Sequence, residues 1–418
     1  MKKIFTLLLC LALLCTMLVG CGKDVIGEYL ENYDTGNSNK GELVKLHFYM
    51  IVGEGTSEEA KTTVPQNINT YLKEAYNIEL IIHYVSENEY HDVVLAAARN
   101  TNEDDRADII LINSLKLFSQ LYQENLLVDL TDFYNDRKYK TINTLIEDNL
   151  LAASLVSEPV KGSDAYTTHY YTVPNNHKVG TYQYIVINKE LARDILHFNN
   201  SEIAAMTSNE SLAELVEEIE KYYVETYPKA EHVTDEEYAA AISAFVNDNV
   251  YVVEGNYEDK LLLEYDVDSA SEIRADDSTS NFVNVSSYPV ASAEEAFSSA
   301  FAIVKRTTDV ADLSEEEREV LKQYYQKSMN IILALNNDKT LRNMLQYGYV
   351  GTNYKFIKNL ENNTNTNYIT LNSGDVAYNM NLYYTGNPYI AYYCNSIGWN
   401  EEVYANTIRQ NAESVRYQ

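Results

Sequence analysis

Two rhythms of apolar and polar positions alternate along most of the chain. Leu43–Met50 carries the dense apolar pattern of a strand and is broken by Gly53-Glu54-Gly55. Ser57 is placed to cap a helix running to Tyr76, and Pro65 marks an irregularity or a late start of that helix. A strand at Ile78–Val85, a helix at Glu87–Arg99 and a strand at Asp108–Ile112 follow. The last is apolar through its centre, which fits a sheet covered by helices on both faces.

The second half keeps this alternation. Strands are expected at Gln183–Asn188, Val250–Glu254 and Phe301–Lys305. Helices are expected at Lys189–Leu196, Ser211–Tyr223, Asp235–Phe245, Leu313–Leu335 and Lys339–Tyr347. Ser314 and Glu317 form the Ser-x-x-Glu capping box. Glu361–Asn367 reads as a solvated loop and Glu254–Asn281 as an acidic insertion, and there is no internal repeat. This grammar makes the chain α/β.

The N-terminus carries an address. Met1-Lys2-Lys3 precedes an apolar run, Ile4 to Val19, in the manner of a signal peptide. The run ends in Leu18-Val19-Gly20-Cys21, which resembles the bacterial lipobox, so residues 1–20 are expected to be cleaved and Cys21 to be lipidated. Polar residues 21–42 would form a tether at the extracytoplasmic face of the membrane, held by its acyl chains. Cys10 and Cys15 leave with the signal, and Cys394 is left as a packed thiol without a disulfide partner.

Charge narrows the function classes. The 418 residues include 62 acidic and 32 basic side chains, a net charge of −30, which would repel a phosphate backbone and argues against nucleic-acid binding. At about 150 residues per domain this length suggests two or three domains. No phosphate-binding loop, dinucleotide fingerprint or nucleophile elbow is present, and no cofactor is implied. The His83 and His91 pair lacks metal-site spacing, and no metal is expected. Among so many carboxylates a catalytic pair carries no information. The 37 tyrosines say more, because a phenol offers a flat apolar face for a sugar ring and a hydroxyl rim.

Several segments together are similar to the extracellular solute-binding lipoproteins of ABC importers, in the carbohydrate-binding branch related to maltose-binding proteins. They are Leu126-Leu127-Val128-Asp129-Leu130-Thr131, Tyr171-Thr172-Val173-Pro174, Tyr184 to Leu191, Phe301 to Lys305, and Leu335 through Tyr354, in that order after the lipobox. The resemblance implies a two-lobe periplasmic-binding-protein-like fold of type II, with a ligand cleft between the lobes. One lobe would comprise residues 43–151 and 301–347, the other 152–300 and 348–418. The protein would be a monomeric binder, not an enzyme, that delivers a carbohydrate to membrane permease subunits. Loops after strands expose the binding edge of open α/β sheets, so Glu54, Asn113 and Ser114 are candidates to bond ligand hydroxyls. Tyr171 and Tyr182 are candidates to stack on the ligand, and Tyr349 and Tyr383, near the second crossover and the C-terminal lobe face, are further ligand-binding candidates. Two alternatives remain open: a binder of polyamines or other cationic or peptide solutes, and a lipid-anchored glycoside hydrolase.

Overall fold

A computed structural model describes residues 43–160, 162–259, 281–307 and 313–416. The signal peptide, Cys21, the tether and most of the acidic insertion lie outside the described residues. Strands are β1 (Val44–Ile51), β2 (Ile78–Val85), β3 (Ile109–Ile112), β4 (Leu155–Pro159), β5 (Tyr166–Tyr170), β6 (Thr172–Pro174) and β7 (Tyr182–Ile187). They continue as β8 (Val250–Gly255), β9 (Phe282–Ser287), β10 (Val290–Ala291), β11 (Ala300–Ile303), β12 (Tyr354–Lys358), β13 (Asn365–Leu371) and β14 (Val415–Arg416). The longer helices are α1 (Glu58–Ala75), α2 (Glu87–Arg99), α3 (Leu115–Gln123), α4 (Asn209–Thr226), α5 (Asp235–Asn249), α6 (Glu315–Asn337), α7 (Lys339–Tyr347) and α8 (Glu401–Glu413).

The principal sheet has the order β2-β1-β3-β11-β6. β1 is parallel to β2 and β3, while β11 runs antiparallel to both β3 and β6. Its central strand β3, Ile-Ile-Leu-Ile, is fully buried, as a sheet sandwiched between helices requires. Leu46, Phe48, Met50, Ile110 and Phe301 anchor a large core that continues into α1, α6 and α7. A second sheet, β8-β7-β9, is antiparallel and carries a smaller core with α4, built on Ile185, Ile187, Leu215 and Ile219. The chain passes between these cores at Asn175–Thr181, again at Tyr288–Ser299, and again on the way to α8.

Local signals act where the sequence puts them. Ser57 accepts from the Ala60 amide, and the Ser314 and Glu317 box closes in both directions. α1 does not start late at Pro65. The cap and the buried face of Ala60, Val64, Ile68 and Leu72 hold a helix through the proline, whose missing N–H removes one bond. Lys189–Leu196 is not α-helical: Glu190–Ile195 winds as a π-helix, with Leu196 N–H bonded to Leu191 O. Part of the expected Asn-rich loop is strand, because Asn365 pairs with Lys358 across the β12–β13 hairpin. Cys394 is fully buried, its Sγ 3.2 Å from Ser396 Oγ.

Candidate functional site

The parallel strands β1, β2 and β3 all end at one edge of the principal sheet, where β11 begins and β6 ends. Ile112 pairs with Ala300, and Ala300 with Pro174. One step further, Asn113 comes opposite Ser299, and the Asn175 amide donates to Ser299 O at 3.0 Å. Glu54 lies in the exposed turn beyond β1, and Ser114 caps α3 by accepting from Leu117 N–H at 3.3 Å. The fold therefore gathers Glu54, Asn113 and Ser114 along one edge.

Tyr383 reaches the same edge from the far end of the chain. Its carbonyl accepts from Asn175 Nδ2 at 3.2 Å and from the Ser299 hydroxyl. Its ring lies 6.4 Å from that of His177, nearly perpendicular. Burial pushes the Tyr383 phenol up to about 12, although a bond with Thr407 pulls the other way. Its neighbour Tyr384 is also raised, by burial first and then by the Glu87 charge at the end of β2. Gly53 closes the edge on the β1 side, its backbone packed against Asn379 and Met380 and its N–H 3.3 Å from the Met380 sulfur.

The remaining candidates lie elsewhere. Tyr171 precedes β6, so it sits at the opposite edge of the sheet, where β11 ends. There its hydroxyl donates to Glu158 Oε1 at 2.6 Å, and its ring meets Tyr122 edge-on. Tyr182 is fully buried in the second sheet, stacked on Tyr184 and donating to Glu413 Oε2 at 2.9 Å. Tyr349 is exposed in the turn after α7, with its amide bonded to Asn353 Oδ1 at 2.7 Å. His83 does not face His91; its Nε2 lies 2.9 Å from His47 Nδ1. Among the described residues no group of three His, Cys, Asp or Glu side chains could hold a metal.

Three residues at this edge escaped the sequence reading. Asn175 and Ser299 flank strands too short to register as periodic segments, three and four residues long. Asn379 comes from a distant loop that carries no periodic signal. The available clue was Pro174, because the residue beyond a strand end is where an α/β sheet presents its binding edge. Side-chain amides, hydroxyls and phenols dominate the edge, a composition suited to bonding a polar ligand.

No family model and no protein of curated function matches the chain. Among solved structures it is similar to the N-glycan transport solute-binding protein NgtS of Streptococcus pneumoniae in complex with Man1GlcNAc. The identity is 16%, the match covers 89% of this chain and 84% of that one, and the TM-score is 0.47. A family 1 extracellular solute-binding protein of Bifidobacterium longum subsp. infantis is 13% identical over 72% of this chain and 80% of that one, with a TM-score of 0.30. A sugar transporter of Rhizobium etli in an open conformation is 10% identical over 70% and 78%, with a TM-score of 0.31.

Proposed function

We propose that the protein is the substrate-binding lipoprotein of an ABC importer, capturing a carbohydrate between two α/β lobes. The observation that carries this reading is the shared sheet edge, where Asn113, Ser114, Asn175 and Ser299 lie beyond the strand ends and Tyr383 is bonded to Asn175 and Ser299. The chain leaves the principal sheet for the second one at this edge, through Asn175. A ligand held there would touch both lobes, so its binding energy would favour the closed arrangement over the open one. The segments that resemble the carbohydrate-binding branch give the ligand class.

In this reading the first lobe is built on the principal sheet and includes β6 and β11, and the second on β8-β7-β9, so the division runs after Pro174 and not after residue 151 as the resemblance implied. Glu54, Asn113, Ser114 and Tyr383 contact the ligand directly. Cys21 carries the lipid that keeps the binder beside its permease at the extracytoplasmic face. The protein then presents its closed form to the permease and performs no chemistry on the sugar.

A thermal-shift screen tests the reading. The panel is neutral mono- and oligosaccharides, Man1GlcNAc among them, with spermidine as a cationic comparator. A saccharide at a hundred times its dissociation constant is expected to stabilise the fold by about 2.7 kcal/mol and raise the melting temperature by a few degrees. It should be recovered unchanged from the incubation. Stabilisation by spermidine alone, or hydrolysis of the saccharide, would replace this reading with one of its alternatives.

A further inference from the structure

The sheet edge contains one side chain whose hydrogen bonding is incomplete in an informative way. Asn175 is fully buried. Its backbone N–H reaches Ser299 O at 3.0 Å, and its Nδ2 donates to Ser299 Oγ and Tyr383 O, each at 3.2 Å. These bonds fix the orientation of the amide group: nitrogen toward Ser299 and Tyr383, oxygen the other way. Oδ1 has no donor among the described residues. Buried acceptors are almost always satisfied, and one that is not is held at a cost unless something else supplies the proton.

The charge pattern of the edge says what kind of donor. Beyond the ends of β1, β2, β3 and β6, and ahead of β11, the flanking pairs are Val52-Gly53, Ser86-Glu87, Asn113-Ser114, Asn175-Asn176 and Ser298-Ser299. None of these positions is a cation, so an anionic ligand group would find no counter-charge. The carboxylates of the edge, Glu87 and Glu54, are both exposed at its margin. A cationic ligand group would find only neutral amides and hydroxyls at the centre. Two further acceptor-bearing groups without a partner among the described residues, Asn379 Oδ1 and Thr56 Oγ1, belong to the segments that close the β1 side.

We infer that Asn175 is the specificity-determining residue of this cleft, its Oδ1 accepting from a hydroxyl of a neutral polyhydroxylated ligand. This rests on the reading of the cleft as a saccharide site and adds to it the residue and the charge class. Ser299 is a positioning residue: it holds the Asn175 amide nitrogen so that the oxygen is presented. A site built around a directed acceptor discriminates strongly against analogues that lack the matching donor, because the acceptor is then left buried and unpaired. Lobe opening admits the ligand to an atom that is enclosed in the arrangement described here.

The test is calorimetric titration of the full chain and its variants with the saccharide from the panel that binds the parent, and with glucuronate and spermidine. Asn175→Ala is expected to lower saccharide affinity at least tenfold. Ser299→Ala is expected to lower the melting temperature and to lower affinity by a smaller factor than Asn175→Ala, since the acceptor remains but one of the bonds that orient it is lost. Asn175→Asp covers the case in which the alanine variant fails to fold. Burial keeps such a carboxyl protonated, so its hydroxyl can replace the donated bond while its carbonyl stays an acceptor, and affinity should remain within threefold. Saccharide binding that survives Asn175→Ala, or is lost equally in all three variants, overturns the assignment and leaves the saccharide reading intact. A parent that prefers glucuronate overturns the neutral class alone. A parent that binds no saccharide overturns the reading on which both depend.

Discussion

At Gly53 the backbone leaves no room for a side chain. A Cβ built there would lie 1.7 Å from Asn379 O and 2.7 Å from the carbonyl carbon behind it, so the neighbour that must yield is main chain. The close approach fixes the turn that carries Glu54 and brings Asn379 and Met380 to the sheet edge. Gly53→Ala is therefore expected to cost about 1–3 kcal/mol, the range for forced overpacking. Chemical denaturation of the variant measures it, and an unchanged midpoint would mean that the loop gives way freely. The substitution removes no hydrogen-bonding group from the edge. Any loss of ligand affinity that accompanies it would report displacement of the Glu54 turn.

At the scale of elements, the pairing of β1 with β2 carries a pH sensitivity. Tyr49 pairs with His83 across the strands, their rings stacked at 4.1 Å, and His83 meets His47. Burial lowers both histidines. On His47 it acts with Arg106 and Arg306 against Asp108 and Asp104; on His83 it acts with His47 against Asp105. A folded-state value below the unfolded 6.5 means that the fold binds fewer protons. The neutral pair's full stability is thus present above about pH 6.5 and is lost as pH falls through the lowered values. Denaturation midpoints measured from pH 7.5 to pH 5 should fall, and His83→Phe should flatten that slope. A parallel slope in the variant would assign the acid sensitivity to other groups.

The same scale shows which parts of the molecule were legible in the sequence. The helices Glu87–Arg99 and Lys339–Tyr347 agree end to end with the periodic pattern, the first through one apolar face and the second through the Asp338 cap and the Leu341, Met344 and Leu345 spacing. The β4–β5 hairpin and the pairing of β6 into the principal sheet were not legible. Both depend on which distant segment a short strand meets, and three residues have no period. That is why Tyr171 read as a cleft residue: its place depends on β6 running antiparallel to β11, a tertiary fact. The position of Glu54, Asn113 and Ser114 beyond the ends of β1 and β3 needed only the strand pattern of those two segments.

For the whole molecule, the segments that pass between the two cores are joined by buried polar side chains together with a small apolar cluster of Leu150, Val179, Ala291 and Ala296. Asn411 Oδ1 accepts from Val179 N–H at 2.9 Å, and its Nδ2 donates to His177 O and to the Tyr389 hydroxyl, both at 2.9 Å. Tyr389 in turn donates to Glu147 Oε1 at 2.9 Å, and burial raises the Glu147 carboxyl. Asn176 ties Leu145 and Glu147 to Asn387. Directed bonds of this kind hold the orientation of the segments that link the two sheets. The second core is also the smaller, and most of α5 is partly or fully exposed. Free energies of local opening span a range within one protein, so the two sheets should not share one value. Native-state hydrogen exchange is expected to show β7, β8 and β9 amides exchanging through an opening that leaves β1 and β3 protected. Asn411→Ala, which removes the three hydrogen bonds of a buried amide, should widen that gap by about 1–3 kcal/mol. It should do so chiefly by speeding exchange in the second sheet. Equal protection across both sheets, unchanged by the substitution, would show that the molecule opens as a single cooperative unit.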